Sequence, residues 1–110
     1  MGKPLRALII EDSVDDAELM VWDLSSRGFD VSFRRVETAD GFLAALEEQT
    51  WDVVLSEYRL AQLSALDALR IIQHRRLSLP FLIVSGEIGE ETAISLIKAG
   101  AHDCISKNRL

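Results

Sequence analysis

Five short apolar runs separated by four amphipathic stretches constrain this chain more than any other feature. The runs are residues 5–10, residues 31–36 ("VSFRRV"), "DVVLS" at 52–56, "PFLIVSG" from Pro80, and "DCIS" at 103–106. Between them the apolar residues recur at helical spacing. Ser13 with Asp16 reads as a capping box before a stripe of Ala17, Met20, Val21 and Leu24, and Gly28 is the stop. Thr38 caps a second helix carrying Ala39, Phe42, Leu43 and Leu46. Ser64 and Asp67 form another capping box ahead of Leu66, Leu69 and Ile72. The fourth helix spans about residues 90–99, with Ala93, Ile94 and Ile97 inward and Gly100 as its stop.

Strand–helix alternation at this spacing predicts an α/β fold. Its parallel sheet has right-handed crossovers and helices on both faces. With five strands the common open order is 2-1-3-4-5, doubly wound and flavodoxin-like. Ligands of such sheets bind outside the carboxyl ends of the strands, beside the reversal in strand order. The polar residues at those ends form a pattern. The first strand ends in Glu11-Asp12, the third in Glu57, the fourth in Ser85 and the fifth in Lys107. Converging carboxylates make a hard-oxygen site suited to Mg²⁺, and a hydroxyl and an ammonium beside them suit phosphoryl oxygens. Singly, each acid reads equally well as a favourable charge at a helix N-terminus. The four-strand coincidence favours a site.

The chain has 110 residues, enough for one core and too few for two, so residues 1–110 are read as one domain. Its apolar runs are too short to span a bilayer, and the first residues, MGKPLR, carry no apolar signal region. One cysteine, Cys104, cannot form an internal disulfide, which fits a reducing cytoplasm. A net charge of −6 argues against nucleic acid or an anionic membrane as the direct partner.

"LIIEDSVDDAE", "DVVLSEYRL", "LPFLIVSGEIGEETAISLIKAGAHD" and "ISK" together resemble the receiver domain of bacterial two-component response regulators. The resemblance implies that Glu11 and Asp12 stand where receivers bind Mg²⁺. It also implies that Ser85 and Lys107 stand where receivers contact the phosphate. Glu57 stands where they carry the phosphoaccepting Asp. It is one methylene too long, by up to about 1.5 Å. Phosphoryl transfer depends on positioning, and the longer carboxylate reaches where a phosphoryl group would sit and can meet Lys107 itself. The expected Glu57–Lys107 separation is below about 3.5 Å. Cys104 takes the place of the family's aromatic switch residue, Leu60-Ala61-Gln62 lacks the usual Pro, and Asn108 follows the lysine where Pro is common. Arg59 and Glu87 map to variable positions at the site mouth and are read as a salt bridge or as solvated charges.

The expected function is therefore a pseudo-receiver. It regulates or docks a protein partner, such as a histidine kinase or a fused output domain, without Asp phosphorylation and with Mg²⁺ weakly bound or absent. It is not expected to be an enzyme. One alternative is a working phosphoacceptor using Glu57 or Asp12; another is a small-ligand module of the same fold, against which the absence of a glycine-rich loop counts. Receivers usually end in a fifth helix, and only Asn108, Arg109 and Leu110 follow Lys107. One sheet face is thus expected to meet water unless a longer chain or a second copy, as a homodimer, covers it. His74 and His102 have no second ligand at metal spacing, Trp22 reads as a partly covered surface aromatic, and Asp15 and Asp16 read as helix-start charges.

Overall fold

A computed structural model describes residues 2–60, 62–86 and 88–107. The described elements are β1 (Lys3–Ile10), α1 (Val14–Ser26), β2 (Phe29–Val36), α2 (Ala39–Glu48), β3 (Val53–Glu57), α3 (Ala65–His74), β4 (Phe81–Ser85), α4 (Glu90–Ala99) and β5 (Asp103–Ser106). All strand pairings are parallel and the order is β2-β1-β3-β4-β5, as the alternation predicts. β3 and the second half of β1, residues 7–10, are buried on both faces, whereas Lys3, Pro4 and Arg6 at the start of β1 are exposed. β2, at the edge, carries the more polar sequence.

Side-chain caps set three of the four helix starts. Ser13 Oγ accepts from the Asp16 N–H at 3.2 Å, Thr38 Oγ1 from Gly41 at 3.0 Å and Ser64 Oγ from Asp67 at 3.1 Å. Each cap is worth about 1 kcal/mol. The reciprocal half of the expected capping boxes is replaced: the Asp16 carboxylate turns to Lys107, and Asp67 faces Arg70 at 3.9 Å.

Two apolar clusters lie on opposite faces of the sheet. One packs Leu8, Ile10, Val54, Phe81 and Ile83 against Phe42, Leu69, Ile72 and Leu96 of α2, α3 and α4. Trp51 joins it, with Nε1 donating to the Ala45 carbonyl at 2.9 Å. The other sets Ala7, Ile9, Val53, Leu55 and Val84 against Ala17 and Met20 of α1.

One expectation needs correction. In α4 the inward residue is Leu96, with Ala93 half-buried, while Ile94 and Ile97 are 54% and 47% exposed. Two apolar stripes lie about 100° apart on this helix, since adjacent residues differ by that angle. The small Ala93 is the one that faces β5, its carbonyl 3.9 Å from Cys104 Sγ. Bulk pointed to the isoleucines; close approach of helix to sheet selects the alanine side. On the sheet face shared with α1, Met20, Leu55 and Val84 are 2%, 3% and 1% exposed, while Leu5, Val31, Leu82 and Ile105 are only partly buried. Leu82 and Ile105 border a groove of about 240 Å³ beside α1. Asn108, Arg109 and Leu110, on which the fifth-helix expectation rests, lie outside the described residues, as does Ala61.

Candidate functional site

Parallel register brings the strand ends together. Ile10 pairs with Ser56, Glu57 with Val84, and Ser85 with Ser106, so Glu11, Glu57, Ser85 and Lys107 emerge along one carboxyl edge. The Glu11 N–H is tied to the Val36 carbonyl at 3.0 Å, which continues the β1–β2 ladder one residue past the strand.

Lys107 is the centre of this edge. Its Nζ lies 3.2 Å from Glu11 Oε1, 2.6 Å from Asp16 Oδ2 and 2.7 Å from Glu57 Oε2. The last distance lies within the limit set from the sequence. That contact is an ion pair rather than a well-aligned hydrogen bond, because Glu57 Oε2 is buried without a hydrogen-bond partner. The other carboxylate oxygen, Glu57 Oε1, accepts from Ser85 Oγ at 3.3 Å and from the Arg59 backbone N–H at 3.2 Å. Glu57 therefore bridges the hydroxyl and the ammonium with one carboxylate.

The acidic pair after β1 is split. Glu11 is 1% exposed, and its Oε2 is buried with no hydrogen-bond partner; Asp12 is exposed. Asp16, read from sequence as a helix-start charge, instead makes the shortest contact to Lys107. Cys104 is half-buried on β5 and Arg59 is exposed; Glu87 lies outside the described residues. His102 Nδ1 accepts the Phe81 N–H at 3.1 Å. Trp22 is 66% exposed, more open than expected.

The electrostatics follow from burial. Withdrawal from water is the largest influence on Lys107 and pulls its pKa down. The hydrogen bonds Lys107 donates to Asp16 and Glu11, with the ion pair to Glu57, outweigh that pull and hold the ammonium above its ordinary range. Asp16 is held below the usual carboxylate range, chiefly by its hydrogen bond to Lys107. Glu11 goes the other way: burial pushes its carboxyl up, against the attraction of Lys107.

The donor chemistry of Glu11 and Glu57 suits a hard cation, and Glu11 Oε2 is an unpartnered buried acceptor. Lys107 nevertheless stands between the two carboxylates. Among the described residues, no three His, Cys, Asp or Glu side chains are grouped to hold a metal ion. A cation reaching Glu11 Oε1 and Glu57 Oε2 would meet the ammonium, which lies 3.2 and 2.7 Å from them.

The raised Glu11 pKa makes a prediction. A carboxyl whose folded pKa exceeds its unfolded value favours folding when protonated, and that contribution is lost as pH rises through the folded value. Glu11→Gln should therefore be more stable than the parent at pH 7–8. The gain should shrink as pH falls toward the unfolded value of 4.5. Urea unfolding across that range checks it, and a destabilised variant at pH 7 would show that the Lys107 contact outweighs burial.

Residues 7–109 match the response regulator receiver domain family. The response regulator protein PilR of Pseudomonas aeruginosa is 34% identical over 103 residues, covering 93% of this chain and 22% of PilR. The nitrogen assimilation regulatory protein NtrX of Azorhizobium caulinodans is 32% identical over 102 residues, covering 91% of this chain and 22% of that protein. The crystal structure of NtrX from Brucella abortus superposes with a TM-score of 0.80 at 32% identity, over 97% of this chain and 23% of that one. This chain thus spans under a quarter of the length of these relatives. No helix among the described residues is long and apolar enough to cross a membrane. The match across nearly the whole chain agrees with the strand order and with the carboxyl-edge cluster, and the chain belongs to the family of response regulator receiver domains.

Proposed function

We propose that this receiver domain works without phosphorylation, as a cytoplasmic protein-docking module whose active-site edge is held together by Glu57. The observation that carries the reading is the single Glu57 carboxylate reaching both Lys107, at 2.7 Å, and Ser85, at 3.3 Å. In the family those two positions contact the phosphoryl group. Here an internal anion already satisfies both, so incoming phosphate would have to displace a buried, paired carboxylate. The same pairing opposes Mg²⁺, which would have to displace Lys107 to reach Glu11 and Glu57. The domain acts by binding rather than by catalysis. Its partner is a protein, either a histidine kinase or an output domain in the same polypeptide, and the regulatory names of its relatives support that role.

The test is direct. The protein is incubated with Mg²⁺ and acetyl phosphate, and separately with Mg²⁺ and beryllofluoride. Intact mass should not increase, and amide resonances around Ser85 and Lys107 should not move. Titration with Mg²⁺ alone should show no saturable binding below millimolar concentration. A mass increment mapped to Glu57 or Asp12 would overturn the reading in favour of a working phosphoacceptor.

A further inference from the structure

Beside the site, between the start of α4 and β5, lies a cavity of about 720 Å³. Ile88, Ala93 and Cys104 supply apolar wall, the buried Ser85 lies in its lining, and the exposed Arg59 also borders it. We propose that this cavity binds a small planar organic anion, an aromatic carboxylate in chemistry. Its ring would lie against Ile88, Ala93 and Cys104 and its carboxylate would pair with Arg59.

Size is the first support. Pockets that enclose small organic ligands run from about 300 to 1,000 Å³, and this cavity, with Ile88, Ala93, Cys104 and Ile105 on its apolar side and Arg59, Ser85 and Glu90 on its polar side, lies in that range. A lone phosphate would leave the apolar wall of this cavity in contact with water. A flat ring would cover it. Cys104 behaves as part of that wall, since burial, with the neighbouring Asp103 charge, pushes its thiol up and keeps it neutral. Among the described residues its Sγ reaches only the Ala93 carbonyl, at 3.9 Å, the outer limit of a thiol hydrogen bond.

Charge is the second support. Arg6, Arg27, Arg34, Arg35, Arg70 and Arg75 each face a carboxylate of this chain. Among the described residues neither the Arg59 nor the Arg76 guanidinium has such a partner, and of the two Arg59 borders the cavity. A planar fork of donors beside an apolar cavity matches a carboxylate bidentately. Glu90, exposed on the same cavity, repels an anion and so directs the carboxylate toward Arg59 rather than along α4. α4 adds to the polar side, because Gly89 caps it without a side-chain hydrogen bond. The proposal is independent of the reading of Glu57, since such a ligand transfers no phosphoryl group.

The probe is 2-naphthoate, compared with its uncharged amide and with inorganic phosphate, by amide-shift titration of the whole chain. Naphthoate should give saturable shifts centred on Ile88, Ala93 and Cys104. Naphthamide on the parent, and naphthoate on Arg59→Met, should each bind about tenfold more weakly, the loss expected for one charge-assisted contact. Cys104→Phe fills the wall and should abolish binding. Should that variant fail to fold, the parent supplies the same information: naphthoate should slow alkylation of Cys104 by N-ethylmaleimide. Absence of saturable shifts, equal affinity for naphthoate and naphthamide, shifts reproduced by phosphate alone, or alkylation unaffected by naphthoate would each overturn the proposal.

Discussion

Replacing Lys107 with methionine is expected to cost about 3 kcal/mol at pH 7, because removing one partner of a buried ion pair leaves the other charge uncompensated. For a domain of this size that is a fall in Tm of about 10–20 °C. Glu11 and Glu57 are 1% and 7% exposed, and Lys107 is the cation paired with both, so two buried carboxylates lose their counter-charge together. Asp16 contributes less, since its side chain is 36% exposed and water can replace the lysine there. The penalty should depend on pH. Without the ammonium, the Glu11 carboxyl, already pushed up by burial, binds a proton more readily in the folded state, and the variant closes the gap as pH falls from 8 toward 5. Adding Glu57→Gln to Lys107→Met should recover part of the loss, because it removes one of the stranded charges. Urea unfolding of the four proteins of this cycle, at pH 5 and pH 8, provides the measurement. A loss below 1 kcal/mol that does not vary with pH would mean that the cluster is solvated in solution.

The cluster also shows where sequence reading succeeds and where it stops. The carboxyl-edge position of Glu11, Glu57, Ser85 and Lys107 follows from alternation alone, since a parallel sheet puts the residue after every strand on the same edge, and the strand order is the common one for five such strands. Asp16 escaped notice because first-turn acids are common for a reason unrelated to any site. A signal was present, however. The Ser13 cap makes Asp16 the third residue of α1, and helical side chains lean back toward the N-terminus, here toward the sheet edge. The reading of α4 failed for a different reason. Two apolar stripes compete on that helix, and periodicity cannot say which one the sheet accepts; the close approach at Cys104 decides it. Burial of Glu11 but not Asp12 was equally illegible, because adjacent acids after a strand look alike until the strand's last inward residue is known.

Shortening Glu57 to aspartate is expected to convert this site into a phosphoacceptor, with a gain in phosphorylation rate of about 100-fold, the cost attached to misplacing a reacting group by about 1 Å. One methylene withdraws the carboxylate by up to about 1.5 Å. The 2.7 Å contact to Lys107 and the 3.3 Å contact to Ser85 would both lengthen, leaving the hydroxyl and the ammonium free to face an incoming phosphoryl group. With acetyl phosphate as donor, a carboxylate oxygen attacks phosphorus, the bond to the acetyl oxygen breaks and acetate leaves. The product is an acyl phosphate whose oxygens take the places that the Glu57 carboxylate occupies in the parent. Cys104, and the absence of Pro after Leu60, should affect the response to phosphate more than its arrival. The measurement is the rate of mass increase in Mg²⁺ and acetyl phosphate for the parent, Glu57→Asp and Glu57→Gln, with the modified residue located by peptide mapping. Glu57→Gln serves as the baseline, since it retains the length and loses the nucleophile. If Glu57→Asp stays at that baseline, side-chain length is not what prevents phosphorylation, and the obstacle lies instead in Lys107, which in that case remains locked between Glu11 and Asp16 at 3.2 and 2.6 Å.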